Sequence, residues 1–218
     1  MTKPLLDIRQ LSCERDERIL FSQLCFQCRA GDILQLIGPN GSGKTTLLRC
    51  LAGVSREYQG DIAWRGHSLP GAAWQFARES LYLGHLPGIK KALTPVENLR
   101  WYQQTCDGTG TFSIEQALEQ VGLAGYEETP CSQLSAGQHR RVALARLYLS
   151  SAVCWILDEP FTAIDKQGVA ALESLLEQHA SRGGMTLLTS HQDLSIAGVR
   201  TVSLADYRFA ATESRYDD

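Results

Sequence analysis

Residues 38–45 read Gly38-Pro39-Asn40-Gly41-Ser42-Gly43-Lys44-Thr45. This is G-x-x-x-x-G-K-[ST] in full. The apolar run Asp32-Ile33-Leu34-Gln35-Leu36-Ile37 precedes it, and Lys44-Thr45-Thr46-Leu47-Leu48-Arg49-Cys50-Leu51 follows, with Gly53 as a stop. The pattern predicts a buried strand, a tight loop and a helix. Glycines let backbone N–H groups curl around an anion, and the helix N-terminus adds a positive dipole end. Lys44 is placed for the β- and γ-phosphates of a nucleotide and Thr45 for Mg²⁺, with Thr46 counted in the same contact set. The spacing differs from the G-x-G-x-x-G of dinucleotide folds.

About 110 residues downstream, Cys154-Trp155-Ile156-Leu157-Asp158-Glu159-Pro160 supplies a second half. The apolar run reads as a buried strand lying next to the loop strand and delivering Asp158 at its end. Asp158 is the candidate Mg²⁺ ligand, through water, and Glu159 the candidate to polarise an attacking water. An acidic pair after an apolar run is a weak signal alone; after a complete phosphate loop it is strong.

A third stretch, Leu134-Ser135-Ala136-Gly137-Gln138-His139-Arg140-Arg141, has no nucleophile and no metal-ligand pair. Ser135 to Gln138 is a Ser-x-x-Gln capping box, so a helix starts there and runs to about Ser150. Ala136 adds almost no bulk and Gly137 permits close approach, so this helix end can also face an anion. Two readings stand: a capped helix and nothing more, or, since the chain already holds one phosphate site, a second anion-binding end that could serve the nucleotide of another copy.

Outward from these motifs, strands alternate with helices, which argues for a parallel α/β core. Segments 4–12 and 18–28 read as two early strands, with further strands at 60–66, 79–84, 152–158, 185–190 and 199–205. Thr94-Pro95-Val96-Glu97 and Ser113 to Gln116 open helices, Asp165 caps another with Val169, Leu172, Leu175 and Leu176 on one face, and Gly183-Gly184 ends it. Residues 105–113 read as a loop and 211–218 as a frayed tail. From about 92 to 150 helix follows helix, so a helical lobe is expected inside a single domain.

Composition narrows the class. The chain has 218 residues, enough for one full core, and a net charge of −3, which gives no basic signal for nucleic acid. The longest apolar runs are far too short to span a bilayer, and the first ten residues show no apolar signal core. A cytosolic chain is expected unless something else holds it at a membrane. Seven cysteines suit reduced thiols. Cys25 and Cys28 form C-x-x-C, but on a strand they face opposite ways, which argues against a metal site. Cys154 reads as packing.

The phosphate loop, Leu134 to Gln138, Trp155 to Pro160, Phe161-Thr162-Ala163-Ile164-Asp165 and Thr189-Ser190-His191-Gln192 occur in the order and spacing of an ABC-transporter ATP-binding subunit, which the chain resembles from about Leu5 to Leu204. The resemblance implies a P-loop ATPase core with an N-terminal antiparallel β part and an α-helical subdomain. It also implies ATP and Mg²⁺ as ligands and a head-to-tail homodimer, with each ATP between one chain's P-loop and the partner's Ser135, Ala136, Gly137 and Gln138. Asp165 takes the place of the D-loop aspartate that couples the two sites. His191, 32 residues after Glu159, takes the place of the switch histidine at the γ-phosphate.

Three positions depart from the general pattern. Ala136 replaces a glycine. The Q-loop position falls on His85, a residue that titrates near neutral pH. The aromatic that stacks on adenine is replaced near Arg15, whose guanidinium can stack on a base.

These departures, with Gly84 to Leu99 and Leu134 to Leu147, resemble the ATP-binding subunits of cytochrome c maturation systems. That branch implies integral membrane partners at the cytoplasmic face of the bacterial inner membrane, docked on residues 85–98. It links ATP hydrolysis to haem export or to release of a haem-loaded haem chaperone, an indirect partner. The haem link rests on resemblance alone.

Within transporters, a subunit moving another solute is the main alternative. A soluble relative acting on ribosomes or nucleic acid is disfavoured, because only 91 positions separate Lys44 from Ser135 and the chain carries one cassette. A non-catalytic regulator is disfavoured by the presence of Lys44, Asp158 and Glu159.

Overall fold

The computed structural model describes residues 3–105, 110 and 112–207. The tail at 211–218 and most of the loop at 105–113 lie outside the described residues.

Two sheets organise the chain. The first is antiparallel, in the order β2-β1-β4-β5, built from β1 (Leu6–Arg15), β2 (Arg18–Cys28), β4 (Gln59–Trp64) and β5 (His67–Ser68). Alternation along β2 buries Leu20, Leu24, Phe26 and Cys28 and leaves Gln23 and Cys25 exposed, as the period of a half-buried strand requires. The two cysteines of the C-x-x-C therefore face opposite ways.

The second sheet is parallel, in the order β6-β7-β8-β3-β9, from β3 (Ile33–Ile37), β6 (Ser80–Leu83), β7 (Cys154–Leu157), β8 (Met185–Thr189) and β9 (Arg200–Ser203). β7 and β8 are buried along their whole length, which suits the apolar run of β7 and the Met185, Leu187 and Leu188 of β8, where Thr186 and Thr189 are the polar members. The strand order corrects one expectation. β7 does not lie beside β3, because β8 runs between them and its Leu187 pairs with Leu34 on one side and Ile156 on the other. Sequence periodicity reports a strand's burial, not its neighbours.

The helices are α1 (Lys44–Leu51), α2 (Leu69–Glu79), α3 (Pro95–Thr105), α4 (Ile114–Gln120), α5 (Ala136–Leu149) and α6 (Lys166–Ser181). The expected starts form as read. Thr94 and Glu97 exchange hydrogen bonds, Ser113 and Gln116 close a capping box, and Asp165 caps α6 through the Gly168 N–H. α2 and the two-residue β5 were not expected.

Three apolar clusters hold these elements. Leu6, Phe21, Trp64 and Phe76 join the antiparallel sheet and α2 to α1 and one face of the parallel sheet. Leu172, Leu176 and Trp155 join α6 to the other face. Val96, Leu99, Leu118 and Val142 join α3, α4 and α5. Each such side chain contributes roughly 1.5–3 kcal/mol through burial. α5 belongs to two clusters: Leu144 and Leu147 pack toward the sheet, while Val142, Ala145 and Leu149 pack among the helices. No helix among the described residues is long and apolar enough to cross a membrane.

Candidate active site

Four parallel strands end on one edge, each delivering part of the site. β3 leads into Gly38–Thr45, β7 into Asp158 and Glu159, β8 into Thr189, Ser190 and His191, and β6 into Gly84 and His85. The carboxyl edge of a parallel sheet is where ligands bind in such folds.

The loop after β3 is shaped by its glycines. Gly43 has φ +95°, and a Cβ there would lie 3.0 Å from the Leu20 Cβ; Gly38 has φ +149°, and a Cβ would lie 2.8 Å from the Ser42 Oγ. Larger residues would be strained at both positions. Pro39, Asn40 and Gly41 form the turn between them, and the Ser42 N–H closes it on the Pro39 carbonyl at 3.1 Å. Lys44 Nζ folds back over the loop, donating to the carbonyls of Gly38 at 2.7 Å and Pro39 at 3.3 Å. The ammonium therefore sits where a bound phosphate would meet it. Ser42 is buried, its hydroxyl without a partner among the described residues, and Thr45 presents an exposed side chain on the first turn of α1.

At the end of β7, Asp158 is almost fully buried. Its Oδ1 accepts from the Thr189 hydroxyl at 2.8 Å, and its Oδ2 has no hydrogen-bond partner among the described residues. A buried carboxylate oxygen with no donor costs free energy unless a cation or its water satisfies it. This orphan oxygen fits a Mg²⁺ accompanying a nucleotide, with Thr45 and Asp158 as the residues that would hold it.

Glu159 has φ +51°, an unusual value for a residue with a side chain. Its N–H donates to the Thr189 Oγ1 at 2.9 Å, and its Oε1 lies 3.6 Å from the Nε2 of His191. The Gln35 side chain donates to the carbonyls of Ser190 and Gln192 at 3.3 and 3.4 Å, bracketing His191.

Thr189, Gln35 and Arg140 were not singled out from sequence. A threonine ending an apolar strand and a glutamine inside one were the available signals. Arg140, on the first turns of α5, is buried. Burial pulls its guanidinium below its ordinary pKa, against the pull of the nearby Asp158 and Glu159 carboxylates.

The remaining predicted residues lie apart. Arg15, at the end of β1, is mostly exposed, with its Nε 3.6 Å from Asp16. It lines a cavity of about 380 Å³ together with Thr46 and Arg49 of α1, so it does flank the helix that carries the loop. His85 is exposed in the bend after Gly84. Ser135 and Gln138 close the expected capping box, with bonds of 2.9 and 3.2 Å, and share no hydrogen bond with residues 38–45 among the described residues. Gly137 has a local reason to lack a side chain, since a Cβ would lie 3.2 Å from the Ala163 carbonyl oxygen. Asp165 accepts from the Gly168 N–H at 2.8 Å and from Arg141 at 2.7 Å. The Gly168 bond first, then Arg141, holds its carboxyl below the usual range.

The family profile described as ABC transporter matches residues 21–162. The chain is 51% identical over 210 residues to the cytochrome c biogenesis ATP-binding export protein CcmA of Saccharophagus degradans, covering 92% of this chain and 93% of that protein. It is 53% identical to the protein of the same name from Yersinia pseudotuberculosis, covering 93% and 94%, and 50% identical to that of Escherichia coli K12, covering 94% and 99%. Among solved structures, an ABC transporter ATP-binding protein from Pyrococcus furiosus superposes with a TM-score of 0.79 at 24% identity, covering 94% of this chain and 99% of that one. That likeness concerns the fold, a mixed α/β ATPase architecture. With its phosphate loop, buried aspartate and the helix capped at Ser135 in one frame, this chain belongs to the ABC transporter family of nucleotide-binding ATPases.

Proposed function

We propose that this chain is the ATP-hydrolysing subunit of a membrane-associated complex for cytochrome c maturation, working in haem export or in release of a haem-loaded haem chaperone. The observation that carries this reading is identity of about half, over nearly the whole length of both chains, to proteins named as cytochrome c biogenesis ATP-binding export proteins. The peripheral site is the cytoplasmic face of the inner membrane. The partners are integral membrane subunits docked on residues 85–98.

Residues 38–46 hold the phosphates of ATP, with Lys44 exchanging its bonds to the Gly38 and Pro39 carbonyls for phosphate oxygens. Arg15 flanks the adenine. Mg²⁺, when bound, supplies neutralisation of the β- and γ-oxygens. Glu159 accepts hydrogen bonds from the attacking water and aims it in line, His191 contacts the γ-phosphate, and His85, at the Q-loop position, bonds water or a ligand of the Mg²⁺. Two copies pair head to tail, so that Ser135, Ala136, Gly137 and Gln138 of one complete the site of the other, and Asp165 links the two.

Two measurements test this. Glu159→Gln should lower ATP turnover by about 10²-fold or more and leave ATP binding intact; unchanged turnover rejects Glu159 as the water-orienting group. The same tagged variant, held with ATP and drawn from detergent-solubilised native membranes, should bring small multi-span proteins with a haem absorption band. Another permease with a solute-binding protein would keep the ATPase and discard the haem assignment. Ribosomes or DNA would reject the membrane reading.

A further inference from the structure

One buried cation touches the hydrolytic edge without a role assigned above. The Nη1 of Arg140 donates to the Gly84 carbonyl at 2.8 Å, and its Nη2 donates to the carbonyls of Asp158 at 2.7 Å and Glu159 at 2.8 Å. The carbonyls come from the end of β6, just before His85, and from the turn after β7. The donor rides on α5, five residues beyond its cap Ser135. A guanidinium suits this geometry, because its planar fork holds several acceptors in fixed directions, whereas an ammonium is a point donor.

The turn it grips is strained. Glu159 holds φ +51°, and such a conformation persists in a residue with a side chain only where its surroundings over-determine it. Two bonds do so. Thr189 accepts the N–H of Glu159, and Arg140 donates to its carbonyl. The backbone of the residue is gripped on both sides of the carbon from which its carboxylate side chain departs. Packing alone would not call for a charge here, since a buried guanidinium loses its hydration and a hydrocarbon chain fills space at lower cost.

We propose that Arg140 is a positioning residue for hydrolysis, setting the direction of the Glu159 carboxylate and making it depend on where the Ser135-capped end of α5 lies. A shift of α5, or of the segment beginning at Gly84, is passed through one guanidinium to the residue that orients water. The proposal deepens the ATPase reading and rests on it.

The test uses the full chain assembled with its membrane partners. Arg140→Met, Arg140→Lys and Glu159→Gln are compared, with the double variant Arg140→Met/Glu159→Gln. Arg140→Met should lower kcat by about tenfold or more while the KM for ATP shifts by less than about twofold, and Arg140→Lys should recover part of the loss. In the Glu159→Gln background, Arg140→Met should change the single-turnover rate by less than about twofold, because no carboxylate remains to be aimed. Equal losses in both backgrounds would reduce Arg140 to packing and overturn the proposal, as would an unchanged kcat. If Arg140→Met has no cooperative melting transition, Arg140→Lys decides: a kcat equal to wild type overturns the proposal, and a fall in kcat at constant KM, absent in the Glu159→Gln background, supports it. Full turnover in Glu159→Gln alone would reject Glu159 as the water-orienting group, and no ATP turnover in the assembled wild type would remove the ATPase reading; both outcomes are separable from the failure of Arg140.

Discussion

Thr189 does two jobs with one hydroxyl. As a donor it holds Asp158 Oδ1, leaving Oδ2 free in the buried pocket; as an acceptor it takes the N–H of Glu159. One side chain thus ties the Asp158 carboxylate to the backbone of Glu159, the two residues proposed to hold the metal and to orient water. Thr189→Val keeps the volume and β-branching and removes both bonds. It should cost about 1–3 kcal/mol of stability through the groups left unpaired. It should also lower kcat by roughly tenfold while ATP affinity stays within about twofold, because the P-loop is not involved. Steady-state kinetics beside a nucleotide titration checks this; a loss confined to affinity would show that Thr189 acts on binding.

Between elements, the seat of α6 on the parallel sheet carries a pH dependence. His179 of α6 stacks on Trp155 of β7, with ring centroids 3.8 Å apart and planes within 3°. Burial, helped by Arg182 and opposed by backbone bonds to Met185 and Val153, pulls the imidazole from 6.5 down to about 4. The unfolded chain therefore binds the proton more readily than the folded one between these values. Stability is complete above about pH 6.5 and falls as the pH drops toward 4. From pH 7.5 to 5 the loss from this group is about 2 kcal/mol. Chemical denaturation at both pH values should show the drop, and His179→Phe, which keeps a ring on Trp155 but cannot titrate, should remove that share of it. An equal drop in both proteins would place the titration elsewhere. α5 shows a different dependence between elements. Its two apolar faces bind it to both the sheet and the helices, so no single stripe marks it in sequence as one layer's helix.

At the scale of the whole molecule, what could be read from sequence is what local chemistry dictates. Glycine spacing in residues 38–45, capping boxes at Thr94, Ser113 and Ser135, and the alternation that parts Cys25 from Cys28 all depend on neighbours along the chain. The position of β8 between β3 and β7 depends on which buried strands pair, and three apolar runs of similar length do not encode that. α2 escaped notice because only Leu69, Ala72 and Phe76 are buried and Pro70 and Gly71 blur its start. Arg140 and Arg141 are adjacent and chemically alike, so their sequence does not say that Arg141 turns out to Asp165 while Arg140 turns in to three carbonyls. One further property follows from the Ser135 cap, which bonds within its own helix and not to residues 38–45. Under head-to-tail pairing, damage to either motif leaves the other usable. A gene carrying Lys44→Ala and a gene carrying Ser135→Arg should each be silent alone yet repair one another when expressed together, because the mixed pair unites one sound loop with one sound helix end. Random assortment then returns roughly a quarter of wild-type turnover; no rescue would mean that both motifs serve a nucleotide held by a single chain.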